Sequence, residues 1–490
     1  MKKILLTLAT GLLAISSMMA GTDGQTYEPV GDYKLVNDWI ISRVHTGELE
    51  YNALPFANNY ARRATIYNGE VLIAQTCSPL YTHQINDTTT EMQCVLFRYD
   101  VKTGEYLGAT PLTLNGEPYA STAQSSLLAN NIGVDHFGHL WLAQYTSEST
   151  RSFHLYQVDA QTGALTSVGE LIKAKTQEEV CARIDYIDVM GDITREEAQC
   201  NVMGAGASSD LIYRWHAEQG SDWEPGFDGT DYHIQITQFP RGWSAANGTN
   251  SEEVASWGYA PFVKMCLGAD ESDPDTYYLG DLFWIDGFFS APALYMVNGD
   301  MWDSFNAVEN WELQPEAGTN GLTEFHLDGR NFMLYSMKQY LGDGHGCQAN
   351  IVELNADLEL SSMEKYWQIP ADSLGHTTDG GIRIHSLEAI PGVDEDGNEY
   401  VTILTYKCQN GFGIYRMGKN VKPYGGQEPT YQKGDVTGDG KIDVEDVNAV
   451  INIILKTKQA GDYPGKADVT GDGKVDVEDV NAIINIILKV

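Results

Sequence analysis

Several sequence patterns that mark common enzymes and membrane proteins are missing from this chain of 490 residues. No C-x-x-C pair occurs, so neither a zinc ribbon nor a thiol redox motif is supported. The chain also lacks a G-x-S-x-G nucleophile elbow and a helical H-E-x-x-H zinc motif. Beyond residue 20 no apolar run is long enough to span a bilayer, so we expect no membrane insertion.

Basic residues are scarce as well. Lys and Arg number 31 against 68 Asp and Glu, and the formal net charge is −37. A surface of this sign repels phosphate backbones and anionic lipid surfaces. We therefore expect no nucleic-acid partner, whereas acidity alone identifies no ligand.

The N-terminus has the pattern of a signal peptide. Two lysines precede the apolar run Ile4–Ile15, and small residues follow up to Ala20. The alternative, a membrane anchor, is disfavoured because the run is short and Gly11 interrupts it. The sequence therefore predicts a cleaved signal peptide at 1–20 and a protein that is secreted or on the cell surface.

The seven cysteines are an odd number with no paired motif. Export permits disulfides. Cys77–Cys94 and Cys181–Cys200 are the pairs that would each close a short, hairpin-sized loop. Buried free thiols are an equally good interpretation.

The middle of the chain, from about residue 30 to 418, alternates short apolar runs with turn residues. The clearest unit combines Ala64–Gln75 with Cys94–Leu112, and the next combines Asn130–Tyr145 with Phe153–Leu171. Each unit reads as an inner strand pair followed by an outer hairpin around a Thr-Gly turn.

Fainter copies of this unit follow, which makes six units in all. Radial repetition of four-stranded units is typical of a β-propeller. The sequence therefore predicts a mainly β fold, a propeller of six to seven blades, with a β-sandwich as the alternative. Asp32–Arg43 is expected to add an outlying strand that closes the ring. The fainter copies are Arg183–Ile193 with Ser209–Trp215 and Tyr232–Phe239, Thr276–Asp286 with Pro292–Trp302, Leu322–Tyr340 with Ala349–Gln368, and Ile382–Tyr406 with Gly413–Met417.

One turn in the second unit contains residue types that are typical of a metal site. Asp135-His136-Phe137-Gly138-His139 places two histidines three residues apart. A tight turn is favoured instead, in which Asp135 begins the turn and Gly138 takes the left-handed position. The surrounding segment VDHFGHLWLA resembles the repeated turn of six- or seven-bladed propellers of the NHL and two-component-sensor kind.

No residue of the middle region is assigned a catalytic role. Asp185 with Asp188, or Glu252 with Glu253, are candidate carboxylate pairs, although acidic pairs are frequent in so acidic a chain. The aromatic stretch Tyr277–Trp302 could stack on sugar rings, but strand core is favoured. A carbohydrate or protein ligand at the mouth of the propeller is expected from the architecture.

The C-terminal part contains one segment written twice, Asp435–Lys456 and Asp468–Lys489. An EF-type loop binds Ca²⁺ through oxygens at positions 1, 3, 5, 7, 9 and 12, and a glycine at position 6 makes the sharp turn. Gly440 and Gly473 occupy that position. The sequence therefore predicts two calcium ions, held by Asp435, Thr437, Asp439, the Lys441 carbonyl, Asp443 and Asp446, and by Asp468, Thr470, Asp472, the Lys474 carbonyl, Asp476 and Asp479.

Each loop departs from the EF-hand pattern in two positions. Position 12 is Asp instead of Glu, and position 3 is Thr, which offers a neutral oxygen. The alternative, an acidic glycine turn that only caps a helix, is disfavoured because both copies satisfy every other position.

A helix is expected after each loop, with an apolar stripe at helical spacing. Further apolar residues lie off the stripes and are expected to be exposed to a partner or packed end to end within the module. The stripes are Val447, Val450, Ile451 and Ile454, and Val480, Ile483, Ile484 and Ile487; the surplus residues are Ile453, Leu455, Ile486 and Leu488.

This duplicated loop and helix, over Lys433–Val490, resembles the dockerin type I family. The resemblance implies a calcium-dependent module that docks onto a cohesin domain, and near-identical copies imply docking in either of two orientations. Loop positions 10 and 11 often select the partner in that family, and here they are Val444-Glu445 and Val477-Glu478.

The predicted organisation is a signal peptide at 1–20, a propeller at 21–418, a polar linker at 419–433 and a dockerin-like domain at 434–490. The favoured function is a non-catalytic binding or scaffolding component of extracellular polysaccharide degradation. The alternative is a glycoside hydrolase or polysaccharide lyase, because dockerins usually carry polysaccharide-degrading cargo. Whether the protein is an enzyme stays open, with a non-catalytic role favoured.

Overall fold

The computed structural model describes residues 20–488 except for internal gaps, and of residues 234–238, 276–280, 293–296, 301–304 and 337–338 only the backbone. The signal-peptide prediction falls almost wholly outside the described residues. The gaps are 87, 124–125, 175–180, 208–210, 222, 224–233, 239–261, 267–275, 281–292, 297–300, 305–312, 314–318, 339–346, 378–383, 424–432, 438–440, 459–462, 464–466 and 471–473.

Strands dominate the chain up to residue 418. Strand β1 (Lys34–Ser42) precedes a short helix, α1 (Glu48–Asn52). The first sheet follows, in strand order β2-β3-β4-β5, with the short β8 paired to β4. The strands of this sheet are β2 (Ala61–Tyr67), β3 (Glu70–Asn86), β4 (Thr89–Asp100), β5 (Tyr106–Pro111) and β8 (Ala120–Ser121). Between β5 and β8 lie β6 (Thr113–Leu114) and β7 (Glu117–Pro118), which belong to the second sheet.

The next three sheets are also antiparallel meanders at their centres. The second sheet has the order β7-β6-β12-β11-β10-β9, in which β6 and β12 pair in parallel. The third and fourth sheets run in sequence order. The strands are β9 (Asn131–Val134), β10 (Leu140–Ala143), β11 (Ser152–Val158), β12 (Ala164–Ile172), β13 (Arg183–Gly191), β14 (Cys200–Ala207), β15 (Leu211–Ala217), β16 (Ile234–Gln238), β17 (Phe262–Met265), β18 (Thr276–Gly280), β19 (Ala293–Met296) and β20 (Met301–Ser304).

The fifth sheet runs in sequence order, and the sixth has the order β1-β27-β26-β25. Antiparallel pairing of β1 with β27 runs from Lys34 opposite Gly418 to Ser42 opposite Gly411. The N-terminal strand therefore completes the last sheet, which confirms the closing strand predicted at Asp32–Arg43. The strands are β21 (Leu322–Leu327), β22 (Arg330–Lys338), β23 (Gln348–Leu354), β24 (Glu364–Ile369), β25 (His385–Val393), β26 (Glu399–Lys407) and β27 (Gly411–Gly418).

The first strands of the sheets form an inner ring. β25 contacts β2, β2 contacts β9, β9 contacts β13, β13 contacts β17, and β21 contacts β25. The mainly β propeller is confirmed, and the sandwich alternative is not what forms. Five blades are counted, which differs slightly from the predicted six to seven, while hydrogen bonding divides the described strands into six sheets.

Apolar clusters fill the spaces between neighbouring sheets, because each sheet presents side chains on both faces. Leu140 and Leu142 pack toward the first sheet, whereas Trp141 packs with the third. This is the alternation expected along β10. Trp39 on β1 is buried against the first sheet, and its indole N–H donates to the Val101 carbonyl at 2.8 Å.

Two strands of four or more residues, β14 and β17, were not expected from the sequence. β14 has the sequence CNVMGAGA. All of its residues are buried, so buried and exposed positions do not alternate, and the strand is not enriched in β-branched residues. Gly204 lies within this strand where a Cβ would meet Ile184 at 2.9 Å. Small residues are therefore required by close packing between strands. β17 has only four residues and gives little periodic signal.

All seven cysteines are buried, and none of them forms a disulfide. Of the two alternatives, buried and unbridged thiols therefore hold in this structure, and neither Cys77–Cys94 nor Cys181–Cys200 is bonded. Cys77 and Cys94 are nonetheless neighbours, with the Cys77 amide donating to the Cys94 sulfur at 3.4 Å. The Cys181 sulfur instead accepts a hydrogen bond from Arg151 at 3.0 Å.

The C-terminal module contains α2 (Val444–Ile454) and α3 (Val477–Leu488), which pack against each other. Its core contains Val447, Val450 and Ile483 of the predicted stripes, together with Val436, Ala449, Ala467 and Val469. Ile484 and Ile487 of the second stripe are instead exposed. Among the described residues, no helix has the length and apolar character needed to cross a membrane.

Candidate functional site

The first C-terminal loop is held closed by the carboxylate at its position 12. Asp446 is fully buried, and its Oδ1 accepts hydrogen bonds from the backbone N–H of Val436 and of Thr437, both at 2.9 Å. The Thr437 hydroxyl donates to the same oxygen at 2.9 Å, and the Asp443 N–H donates to Oδ2 at 2.9 Å. One side chain therefore joins the start of the loop to the start of α2.

The second loop repeats this arrangement. Asp479 is fully buried, its Oδ1 accepts from the Thr470 N–H and its Oδ2 from the Asp476 N–H, both at 2.9 Å. Burial raises the pKa of this carboxyl, but the backbone N–H donors outweigh it, and the net pKa is lowered. The carboxylate therefore stays ionised at neutral pH.

Position 9 of the loops begins the helices. Asp443 is the N-cap of α2, its Oδ1 accepts from the Glu445 N–H at 2.8 Å, and it forms a capping box with Asp446. Asp476 accepts from the Glu478 N–H at 2.9 Å in the same way. Acidic residues in the first turn of a helix also interact favourably with its dipole.

The described part of the loops fits a hard cation. The Thr437 hydroxyl lies 2.9 Å from Asp446 Oδ1, and the Thr470 hydroxyl lies 3.4 Å from Asp468 Oδ1. Ligand oxygens that share one Ca²⁺ at 2.3–2.6 Å are separated by about this much. The predicted ligands Asp439 and Asp472, and the position-6 glycines Gly440 and Gly473, lie outside the described residues.

The module exposes matched apolar side chains. Val444 and Val477, both at loop position 10, are 64% and 61% exposed. Leu455 and Leu488, at the helix ends, are 66% and 63% exposed. Of the surplus residues, Ile453 and Ile486 instead pack against the core. Both alternatives for the surplus therefore hold, each for one pair of residues.

The inner strands of the propeller carry charged and amide side chains. The Arg63 Nη1 donates to Asn131 Oδ1 at 3.4 Å, and the guanidinium carbon lies 4.4 Å from the ring centre of Tyr186. Next to it, Arg62 donates to Asn130 at 3.3 Å. These residues come from β2, the start of β9 and β13, so polar side chains link the inner strands that surround the central channel of a propeller.

The candidate carboxylates on β13 are each held by a different cation. Asp188 accepts from Lys264 Nζ at 2.7 Å and from the Met265 N–H at 2.8 Å. Asp185 accepts from the Arg183 guanidinium at 2.8 and 2.9 Å. The two aspartates are therefore engaged in structural ion pairs instead of facing each other as an acid–base pair. Glu252, Glu253 and the side chains of Tyr277–Trp302 lie outside the described residues.

A further channel carboxyl, Glu388 on β25, was not anticipated. Its Oε2 accepts from the Ile66 N–H at 2.8 Å. Burial raises its pKa, while that hydrogen bond and the nearby Arg63 and Lys264 oppose the rise. The Lys264 side chain is 30% exposed, so solvent reaches this depth of the channel.

The Asp135–His139 segment forms the tight turn that was favoured. Asp135 Oδ1 accepts from the N–H groups of Phe137 and His139 at 2.9 and 2.8 Å, and Gly138 has φ +82°. The sequence did not indicate that Asp192, which follows β13, lies beside this turn. Only the packing of the third sheet against the second brings Asp192 there.

Together these features define two acidic loops of the calcium-binding type, each followed by a helix, in a chain that also forms a β-propeller. The dockerin type I domain matches residues 433–488, so this segment is a dockerin type I domain. Dockerin type I domains bind calcium, and the domain implies a cohesin partner. Proteins that carry one are typically extracellular.

Solved structures resemble the propeller in fold only. A DUF4623 family protein from Bacteroides eggerthii DSM 20697 is 12% identical, covers 82% of this chain and 77% of its own, and has a TM-score of 0.50. A putative 6-phosphogluconolactonase from Bacteroides fragilis NCTC 9343 is 13% identical over 76% of this chain and 86% of its own, with a TM-score of 0.32. No curated protein matches the chain.

Proposed function

We propose that this protein is an exported propeller that is attached to a cohesin-bearing partner by its C-terminal domain, residues 434–490. Two calcium ions hold the domain in its docking conformation, one in each loop, and a signal peptide at 1–20 directs export. The observation that carries the proposal is the matched pair of loops, each closed by a buried aspartate and each exposing a valine at position 10.

The first ion is bound by Asp435, Thr437, Asp439, the Lys441 carbonyl, Asp443 and Asp446. The second is bound by Asp468, Thr470, Asp472, the Lys474 carbonyl, Asp476 and Asp479. All of these donors are oxygens, which Ca²⁺ prefers. When bound, the ion neutralises the carboxylates that each loop concentrates, and the buried position-12 aspartate transmits this order to the following helix.

The exposed valines and leucines supply the contact surface for the cohesin. Because Val444 and Leu455 are repeated by Val477 and Leu488 with almost the same exposure, each helix offers an equivalent docking face. The partner is therefore bound in either of two orientations, related by the internal duplication.

The propeller is proposed to be a non-catalytic binding component of extracellular polysaccharide degradation, with its ligand, a carbohydrate or a protein, at the mouth of the channel. The support is that the described carboxylates Asp185, Asp188 and Glu388 are each hydrogen-bonded to a cation or to backbone. Glycoside hydrolysis instead uses two carboxyl groups that face each other across the scissile bond at a defined separation.

The docking proposal is tested with the full chain and a set of immobilised type I cohesin domains. We expect binding in calcium that is lost in EDTA and in the Asp435→Ala/Asp468→Ala double variant, while the tryptophan fluorescence of the propeller is unchanged. Equal binding with and without calcium would refute it.

The propeller proposal is tested with plant and host glycans. Retention of a glycan without release of product sugars is expected. Release of sugars at catalytic rates would instead establish the alternative, a glycoside hydrolase or polysaccharide lyase.

A further inference from the structure

The turn between β9 and β10 and the loop after β13 place three ligand-type side chains together. His139 Nδ1 lies 3.0 Å from Asp135 Oδ2 and 3.2 Å from Asp192 Oδ1. These three atoms all lie within 4.8 Å of one another. Both carboxylate side chains are fully buried, whereas the imidazole is 26% exposed, so the cluster opens to solvent on the histidine side.

Backbone and hydroxyl donors fix both carboxylates in this orientation. The Ile193 N–H donates to Asp135 Oδ2 at 2.9 Å. The N–H and hydroxyl of Thr194 donate to Asp192 Oδ1 at 2.8 and 2.7 Å. Outer hydrogen bonds of this kind hold metal ligands in place. The oxygens are therefore aimed at His139 Nδ1 by the fold itself.

The charges of the cluster favour a cation. Two buried carboxylates face one imidazole, which supplies at most one positive charge, and burying an uncompensated charge is costly. A divalent ion would neutralise the remaining negative charge.

We propose that Asp135, His139 and Asp192 bind a divalent transition-metal ion of the zinc class. Imidazole nitrogen suits Zn²⁺ and its neighbours, whereas Ca²⁺ takes oxygen ligands. Ligands at 2.0–2.2 Å from a tetrahedral zinc ion lie roughly 3.3 Å apart, close to both measured distances. The ion takes the place of the proton on Nδ1, and a water completes the coordination on the exposed side.

The proposed ion joins two blades. Asp135 and His139 belong to the second sheet, while Asp192 follows β13 of the third sheet. Bound metal therefore stabilises the packing of these sheets against each other, and it does so independently of the calcium loops near the C-terminus.

The test uses the full chain with Asp435→Ala and Asp468→Ala, which remove a carboxylate from each calcium loop. After chelator treatment and dialysis, Zn²⁺ is titrated by calorimetry and Co²⁺ by its visible absorption. We expect one strong site, and a melting temperature of the propeller that rises with metal. His139→Ala is expected to weaken binding at least tenfold and to abolish the rise.

His136→Ala is the matched control, because His136 is an exposed histidine in the same turn. It should bind metal as the parent does. If His139→Ala fails to fold, as judged by circular dichroism, His139→Gln decides, since its amide retains a donor for one carboxylate. Equal affinity in the parent and the His139 variant, or no binding at micromolar Zn²⁺, overturns the proposal and leaves His139 as a direct polar partner of the two carboxylates.

Discussion

Replacing Asp446 with alanine should unfold the dockerin domain while the propeller stays folded. Asp446 is fully buried and accepts four hydrogen bonds, from the N–H groups of Val436, Thr437 and Asp443 and from the Thr437 hydroxyl. Hydrogen bonds to a charged group contribute about 1.5–3 kcal/mol each, and each buried donor left without a partner costs about 1–3 kcal/mol.

These contributions are not additive, and breaking a buried charged network typically costs about 3–5 kcal/mol. A folded domain is stable by roughly 0.05–0.15 kcal/mol per residue, which for a domain of this size gives about 3–8 kcal/mol. The substitution therefore removes most or all of the stability of residues 433–488. The propeller keeps its own core, so its stability should not change.

Hydrogen–deuterium exchange of the full chain, read by mass spectrometry on peptides from residues 433–488, measures the effect directly. In calcium, Asp446→Ala should exchange within these peptides at rates near those of an unfolded chain. Glu445→Ala is the control, because Glu445 is exposed in the same helical turn and is worth only about 0.3–1 kcal/mol through the helix dipole.

Protection equal to that of the control would refute the reasoning. The comparison with the control is made in calcium, because removal of the ions is itself expected to loosen the loops in both proteins.

Three further predictions concern docking, oxidation and pH. Val444→Asp and Val477→Asp should each leave cohesin binding within about twofold, since one face remains, and together should abolish it; surface plasmon resonance that shows full loss in either single variant contradicts two-way docking. Oxidant should join Cys77 and Cys94, whose thiol groups are hydrogen-bonded neighbours, and peptide mapping that finds both still free after oxidation contradicts this. Burial lowers the pKa of Lys173 to about 8 from 10.5. Between pH 8 and pH 10.5 the unfolded chain therefore still carries the proton that the folded protein has released. The free energy of unfolding should therefore rise from pH 8 to 10.5 in urea titrations. A Lys173→Met variant with the same slope contradicts the assignment.

Sequence periodicity was sufficient for the general architecture. Alternation and turn residues predicted four-stranded units and the closing strand β1, because strands on two packed faces and Gly turns leave local signals. It was insufficient for β14, whose small, fully buried residues carry no alternation. The blade count was also imprecise, since strands of unequal length and signal belong to one ring.

The candidate sites show the same division. The loop pattern was readable because all the predicted calcium ligands of each copy lie within twelve consecutive residues. The role of Asp446 as the residue that closes the loop was not, because spacing gives no burial or hydrogen-bond partners. In the propeller, Asp188 meets Lys264 and Glu388 meets Ile66 only because the first strands of different sheets form one ring.

By itself the sequence determined the duplicated loop pattern, the helices that follow it and a repeated β architecture, since these depend on short-range spacing and alternation. The tertiary structure decided which side chains meet across blades. It placed Cys77 and Cys94 side by side without a disulfide between them, paired Asp188 with Lys264, and set Asp192 beside Asp135 and His139. Such contacts join residues that are far apart in the chain, and they exist only after the sheets have packed around a common axis.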